Sequence, residues 1–462
     1  GQLSTFQLEE DRMRRALIVS TAILVLFATS AVMAGEQQVS DRLLEILKDR
    51  QIISENEYVE LSDIADQMQD DQTQVDQRLT ALDSSITEYL AKEGDEAGVA
   101  TKHKMGSGFG FATGNFELWV GGLFQFEYFG ITRKDAQNTN NFRVKEARFY
   151  FKGKAFVEGF TYKFQWSGNA GVTLLDAYGN YVVAEGVQIR FGQFKVPYSR
   201  QALVSSGQLE FMNRSIVTNV FAPGRDIGIM AHDVVKFGEN ENDMALEWAF
   251  GLFNGDGTNV SGNDNNWLGW AARLGFYPMG FVKYGETDFA QGDDVKFGIA
   301  ASYYSVRNRP AGNTVKDDRW QFDAVLTWAG LYVEGEYHSM SLNPDGSSAI
   351  DNKGWFVQAG YLIADTNIEV MARYSMIDWD RATGLKNSKE WVIGAAWYPE
   401  GFGHPFKIVL QIGEFKSDSD NDSSSSPLTN LPEYEYEISD IDEFVTYLEL
   451  TRFIRLGFQL DW

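Results

Sequence analysis

The chain of 462 residues has no cysteine, only 9 prolines and only four histidines. Without cysteine it has no disulfide, no thiolate nucleophile and no Cys-ligated zinc site. The histidines are scattered and stand in no catalytic or metal-ligating pattern; they are His103, His232, His338 and His404. We therefore expect no catalytic residue, no metal site and no cofactor, and the sequence argues against an enzyme.

Basic residues are also scarce, with 40 Lys and Arg against 65 Asp and Glu and a formal net charge of -25. Binding to nucleic acid relies on clustered Lys and Arg that neutralise phosphates, so we expect no nucleic-acid partner. Long apolar runs are nearly absent as well. A bundle of membrane helices needs repeated apolar runs of about 20 residues, and this chain has one.

That single apolar run, 16–34, has the features of a secretory signal. Met13, Arg14 and Arg15 precede it, and Ala31-Val32-Met33-Ala34 closes it, with small residues at the first and third positions before Gly35. A basic flank, an apolar stretch and small residues at the cleavage site define such signals. We predict that 1–34 comprises upstream residues and a signal peptide cleaved after Ala34; the alternative is a retained membrane anchor.

The next segment, 35–91, has the pattern of a helical and coiled-coil region. Apolar residues recur at alternating steps of four and three, which is the seam of a coiled coil. The seam positions are Leu61, Ala65, Met68, Gln72, Val75, Leu79, Leu82, Ile86 and Tyr89. A lone helix this polar is marginal in water, so we expect self-association, the alternative being an amphipathic helix packed on its own domain. Residues 92–114, rich in Gly, Ala and Thr, predict a flexible linker.

From 115 to 462 the apolar period changes to two. Phe124, Phe126 and Tyr128 share one face of the first strand while Gln125 and Glu127 share the other. The same alternation predicts sixteen strands, near 116–128, 147–157, 160–168, 174–184, 186–195, 225–235, 244–254, 267–276, 295–306, 318–329, 331–340, 353–363, 367–377, 388–399, 405–415 and 445–462. About ten residues per strand suit a tilted crossing of a bilayer. The predicted fold class is all-β, a 16-stranded antiparallel transmembrane β-barrel with an N-terminal helical segment.

The connections favour a barrel over a soluble sandwich. Short turns, as at Ala329-Gly330, alternate with long polar loops such as 196–224 and 416–444, which is typical of outer-membrane barrels. Two connections break the alternation: 169–173 is short where a long loop is expected, and 277–294 is long where a short turn is expected. The last strand alternates out to Trp462, so we expect it to pair with the first strand.

Three segments of the barrel region resemble the phosphate-selective porin O and P family. They are FRVKEARFYFKG at 142–153, GQFKVPYS at 192–199 and SSGQLEFMNRSIVTNVFAPGRDIGI at 205–229. The resemblance implies a homotrimer of sixteen-stranded channels in the bacterial outer membrane, with the third long loop folded into the pore and the N-terminal region in the periplasm. It also implies lipid and lipopolysaccharide as neighbours and small anions or other small solutes as cargo.

Selectivity depends on the residues with lumen parity. The basic ones, a candidate anion path, are Arg148, Lys152, Lys154, Lys163, Arg190, Arg273, Lys296 and Arg373; the candidate constriction loop offers Arg200, Arg214 and Arg225 against Glu210. Acidic residues share that parity, among them Glu117, Glu127, Asp176, Glu247, Glu334, Glu336 and Glu369. The sequence leaves open an anion preference, a non-selective or cation-leaning pore, and lumen salt bridges as the role of any single Arg.

Two further alternatives concern other parts of the chain. The acidic stretch 416–443 is a solvated surface loop or a loose binder of divalent cations beside lipopolysaccharide. The coiled coil offers a structural alternative to the channel, in which the barrel is an anchor and the helices tether the outer membrane to peptidoglycan.

Overall fold

The structure, a computed structural model, describes Lys48 and residues 100–462 except 134–136, 156, 170, 309–313, 381–384, 400–402 and 420–450. The predicted signal peptide, nearly all of the predicted coiled-coil region and most of the acidic stretch 416–443 lie outside the described residues. The chain divides into two units, 1–98 and 99–462, and the second is described below. Among the described helices, none combines the length and the apolar character that a membrane crossing requires.

The described part of the second unit is built from strands that are joined in sequence order. Their bounds are β1 Ala100–Lys104, β2 Gly108–Thr113, β3 Phe116–Arg133, β4 Thr139–Lys154, β5 Phe160–Ser167, β6 Thr173–Ala184, β7 Val187–Lys195, β8 Arg225–Lys236, β9 Ala245–Phe253, β10 Gly269–Tyr277, β11 Lys296–Asn308, β12 Val315–Trp328, β13 Leu331–Pro344, β14 Ile350–Ile363, β15 Ile368–Asp378, β16 Leu385–Trp397, β17 Phe406–Ser419 and β18 Thr451–Asp461. Two short helices, α1 Arg200–Leu203 and α2 Ile216–Phe221, and a 3-10 turn, Ser206–Gln208, lie between β7 and β8.

Sixteen strands, β3 to β18, form one closed antiparallel barrel, as the sequence predicts. Each pairs with the next along the chain, and β18 pairs back with β3 from Thr451 opposite Arg133 to Asp461 opposite Leu123. The backbone of Trp462 also exchanges two hydrogen bonds of 3.0 Å with Gly122. Closure leaves no unpaired strand edge among the barrel strands, which is the condition for a sheet surrounded by lipid.

A hairpin stands where the sequence predicts a flexible linker. β1 and β2 pair from Ala100 opposite Ala112 to Lys104 opposite Gly108, and β2 pairs in turn with the first residues of β3. This edge of β3 is available because its pairing with β18 starts only at Leu123. Gly108, with φ of 86°, permits the close approach: a Cβ there would lie 1.8 Å from the carbonyl oxygen of Val120. The linker prediction is therefore wrong for 100–113.

The two faces of the barrel have opposite chemistry. Large apolar side chains on the outer face are exposed, for example Phe142, Ile229, Leu274, Phe322 and Ile393. Polar and charged side chains on the inner face are buried, for example Glu127, Arg273, Gln321, Gln358 and Gln459. A soluble monomer rarely exposes so large an apolar band, whereas a barrel in lipid requires one.

The lengths of the connections define two ends of the barrel. One, the turn end, carries Trp462 and turns such as Ala329-Gly330, where Ala329 has φ of 49° and Gly330 has φ of 89°. The other, the loop end, carries 196–224 and the connection between β17 and β18. Both predicted exceptions are observed: β5 and β6 are joined by a short connection at the loop end, and β10 and β11 by the long segment 278–295 at the turn end.

Candidate pore and constriction

The connection between β7 and β8, residues 196–224, enters the barrel and is called the inserted loop. Its two helices start at serine caps, since Ser199 Oγ accepts from the Ala202 amide at 3.1 Å and Ser215 Oγ accepts from the Thr218 amide at 2.9 Å. Such caps satisfy amide groups that have no partner within the helix. The loop therefore keeps its own local structure while it crosses the lumen.

Apolar contacts attach the inserted loop to a large part of the inner wall. Tyr198 packs in a buried cluster with side chains of β7 to β11, and Phe211 and Met212 pack with side chains of β14 to β17. At the loop end, Val217 and Phe221 of α2 pack against side chains of β12 to β17. Each fully buried aromatic side chain contributes roughly 1.5–3 kcal/mol, so the loop is held as firmly as a core element.

Polar contacts fix the same loop more specifically. The Glu336 carboxylate on β13 accepts from Ser199 Oγ and from the Gln201 amide, both at 2.7 Å. From β7, Lys195 Nζ donates to the carbonyl oxygens of Ala202 at 2.6 Å and Val204 at 2.9 Å. Lys195 was not predicted as a site residue, and only the inward fold of the loop brings these carbonyl oxygens to it.

Four of the predicted lumen cations are engaged in ion pairs of 3.2 Å or less. Arg148 Nη2 lies 2.6 Å from Glu146 Oε1, Lys163 Nζ lies 2.7 Å from Asp176 Oδ2, and Arg373 Nε lies 3.1 Å from Glu390 Oε2. Arg273 pairs with both Glu247, at 3.2 Å, and Asp323, at 2.6 Å. The salt-bridge alternative thus describes these four side chains, and Arg273 and Arg373 are buried away from water.

The other four predicted cations have looser partners. Arg190 Nε donates to Asn180 Oδ1 at 3.3 Å and its guanidinium lies 4.6 Å from the centre of the Tyr178 ring. Lys152 Nζ donates to Ser107 Oγ at 3.4 Å, and Lys154 Nζ lies 3.7 Å from Glu117. Lys296 lies 3.9 Å from Glu241 at the turn end. Lys154, with 67% of its side chain exposed, is the most accessible cation of this group.

The residues predicted for the constriction loop do not form one site. Arg225 is the first residue of β8, and its Nε donates to Asp176 Oδ1 at 2.8 Å. Arg214 binds loop backbone, with Nη2 donating to the Val204 carbonyl at 2.7 Å. Arg200 and Glu210 are fully buried. The Arg200 guanidinium donates to the carbonyl oxygens of Val282 and Lys283, whereas Glu210 accepts from Gln358 Nε2 of β14 at 3.3 Å.

Charge is divided across the lumen. Beside β4 to β8, the cations Arg148, Lys163, Lys195, Arg214 and Arg225 lie close enough to act on one another electrostatically, with Glu146 and Asp176 between them. On the opposite side, buried carboxyl groups gather: Glu210, Glu286, Glu334, Glu336 and Glu369. Burial, and then the neighbouring carboxylates of Glu369 and Glu286, raise the pKa of Glu210 well above its ordinary value.

Within the described residues, no group of three or more acidic or histidine side chains is arranged to hold a metal ion. The buried carboxyl groups instead accept hydrogen bonds from neighbouring protein groups. Glu286, for example, accepts from the Glu210 amide at 2.7 Å and from Gln201 Nε2 at 3.1 Å.

Comparisons with known proteins agree with this geometry. Residues 120–429 match the family model described as Phosphate-selective porin O and P. An uncharacterized protein of Aquifex aeolicus is 24% identical over 223 residues; the match covers 43% of this chain and about half, 52%, of that protein.

Two solved structures share the fold. An anion-selective porin from Comamonas acidovorans superposes with a TM-score of 0.53 at 11% identity, covering 75% of this chain and 99% of that one. OmpF of Salmonella typhi, in complex with daunomycin, superposes with a TM-score of 0.51 at 15% identity, covering 75% and 98%.

Proposed function

The chain belongs to the phosphate-selective porin O and P family, and from that premise we propose that its barrel is a water-filled channel of the bacterial outer membrane. The channel serves passive diffusion of small solutes and ions. One observation supports this proposal most strongly. The barrel is closed, its exterior is apolar, and the inserted loop narrows its polar interior. Neither a soluble barrel nor a simple membrane anchor needs both features.

Anion preference is the selectivity that the charge distribution supports. The half-buried Lys152, Lys163 and Arg190 and the exposed Lys154 lie on the lumen face of β4 to β7, where water reaches them. The opposing carboxyl groups are buried where the inserted loop and residues 278–295 meet the wall, so they act on passing ions from a greater distance. Clustered cations facing water raise the local concentration of anions at low salt.

The experiment is a planar-bilayer measurement on the purified full chain. In a KCl gradient at concentrations of about 0.1 M, the reversal potential of the parent should show anion preference, because salt screens the charges of the lumen only partly at that ionic strength. A Lys152→Gln/Lys154→Gln variant should lose part of that preference, while its conductance in about 1 M KCl, where screening is nearly complete, should change little. Arg148 is left intact because Glu146 and Ser206 already bind its guanidinium.

The matched control removes two lysines from the outer face, Lys353→Gln/Lys389→Gln. Both residues neighbour lumen-facing positions of β14 and β16 and therefore point outward. This control should keep the parent's reversal potential. A parent channel that selects cations at low salt would refute the anion preference but not the channel.

The assembly follows the family: we propose a homotrimer embedded in lipid and lipopolysaccharide, with the turn end and residues 35–91 in the periplasm. The predicted coiled-coil seam supports parallel association, and the family implies three copies. A tether to peptidoglycan through the coiled coil is the structural alternative to a pure channel. Peptide 58–93 should sediment as a trimer, and Gln72→Leu should stabilise it, because a polar side chain in the seam costs stability. A peptide that stays monomeric and unfolded at high concentration contradicts the coiled coil.

A further inference from the structure

A second element enters the lumen from the turn end. Residues 278–295, called here the inner segment, join β10 to β11, whereas β12 and β13 are joined by two residues only. Its tip meets the inserted loop: the Glu286 amide donates to the Gln208 carbonyl at 2.9 Å, and the Glu286 carboxylate accepts from the Glu210 amide at 2.7 Å. The inner segment and the inserted loop therefore touch inside the barrel.

Arg200 holds the two elements together. Its guanidinium donates to the carbonyl oxygens of Val282 at 3.3 Å and Lys283 at 2.8 Å, and it lies 5.1 Å from the centre of the Tyr284 ring. The side chain is fully buried. Charge-assisted hydrogen bonds in a buried site are about twice as strong as neutral ones, so this contact is a firm one.

The base of the inner segment is attached to the wall. Val282 and Phe281 pack with Tyr277, Val325 and Tyr332 of β10, β12 and β13. Further along, Thr287 Oγ1 donates to the Glu369 carboxylate at 3.0 Å, and Asp288 accepts from the Gly330 amide at 2.9 Å. The segment thus follows the inner wall from β10 to β15.

Water contact differs between the two sides of the lumen as a result. Polar side chains that face inward from β12 to β15 are sealed, with Gln321, Glu334 and Glu369 each 0% exposed. On the other side, inward side chains nearer the loop end are buried as well, for example Arg148 and Arg225. Nearer the turn end, 28% of the Lys163 side chain and 67% of the Lys154 side chain are exposed. Lys283, at the tip of the inner segment, is also exposed.

We propose that the inner segment is a second constriction element. Together with the inserted loop it closes the β10 to β15 side of the lumen, so that ions pass along an off-centre path beside β4 to β8. The Lys283 side chain lies on that path. The inference rests on the proposed channel function and identifies the residues that set pore size and charge. It accounts for the length of a connection that the alternation of short turns and long loops leaves unexplained.

The first test reverses one charge without disturbing packing. In dilute KCl, reversing a charge about 8 Å from a passing ion changes the local anion concentration by about fivefold. Lys283→Glu should therefore shift the permeability ratio toward cations by at least about twofold at low salt and little at 1 M. The control is Lys353→Glu, an exposed lysine of the outer face. Equal ratios for parent, Lys283→Glu and Lys353→Glu would overturn the placement of Lys283.

The second test removes the constriction. Replacing 282–288 by a Gly-Ser linker of equal length removes the Val282 packing, the Tyr284 ring beside Arg200 and the Glu286 carboxylate that accepts from the Glu210 amide. The linker should no longer stay against the wall, so single-channel conductance in 1 M KCl should rise about twofold as the open cross-section grows. Heat-modifiable mobility on gels checks that the barrel has closed. Should the linker chain misfold, Tyr284→Gly/Glu286→Gly, which loosens the same tip, should raise conductance in the same direction.

The outcomes separate this inference from the channel proposal. A parent that conducts nothing refutes the channel. A conducting parent whose folded linker and glycine variants keep its conductance refutes the second constriction and leaves the channel standing.

Discussion

Replacing Arg273 tests whether the buried cations of the lumen stabilise the fold or line the path along which anions pass. Arg273 lies on β10, and its guanidinium contacts carboxylates of two other strands, Glu247 and Asp323. It also donates to the Tyr198 carbonyl of the inserted loop at 3.1 Å and to the Tyr284 hydroxyl of the inner segment at 3.1 Å. This single side chain thus connects the wall with both inserted elements.

The magnitude follows from what Arg273→Met leaves behind. Methionine has a similar length but no donor, so Asp323 remains fully buried without its cation. Removing one partner of a buried ion pair costs about 3–5 kcal/mol, because the remaining charge is uncompensated. We expect the free energy of unfolding to fall by about that amount. Anion preference should hardly change, because Arg273 is 2% exposed and does not face the water-filled path.

The assay is denaturant unfolding in detergent micelles, followed by tryptophan fluorescence, together with the reversal potential. Arg452→Met is the matched control, since the Arg452 side chain is 69% exposed and pairs with Glu414 at 3.0 Å; such surface pairs contribute about 0–1 kcal/mol. Adding Asp323→Asn to Arg273→Met should restore part of the stability by removing the orphaned charge. A fully stable Arg273→Met that loses anion preference would show that Arg273 lines the path.

Three shorter predictions follow from single contacts. The pKa of Glu210 is raised in the folded state, so its contribution to stability is complete below the ordinary pKa of 4.5 and is lost as pH rises through the folded pKa. Glu210→Gln should therefore make the denaturant midpoint of unfolding less dependent on pH over that range. Gly360→Ala should destabilise the inserted loop by about 1–3 kcal/mol in the same unfolding assay, since its Cβ would lie 2.2 Å from a Glu210 oxygen. Deleting Trp462 should reduce membrane assembly, measured by heat-modifiable mobility, because its backbone bonds with Gly122 are lost; equal assembly would contradict this.

The barrel was predictable because its signal is local. In a strand the side-chain direction alternates with period two, so the parity of Phe124 and Gln125 places one outside and the other inside whatever lies next to them. All sixteen predicted strands correspond to β3 to β18, and all eight predicted lumen cations have the inward parity. The family resemblance supplied the inward fold of the third long loop.

The partners of each lumen residue are set by contacts between strands and loops that are distant in sequence. The local pattern of residues therefore does not reveal these partners. Which carboxylate meets Arg273 follows from the register of β9, β10 and β12, and which carbonyl meets Lys195 follows from the course of the inserted loop. The length of 278–295 marked it as unusual, but only packing shows it inside the barrel. Parity fixes the face of a side chain through backbone geometry alone; burial and ion pairing depend on what fills the space in front of that face.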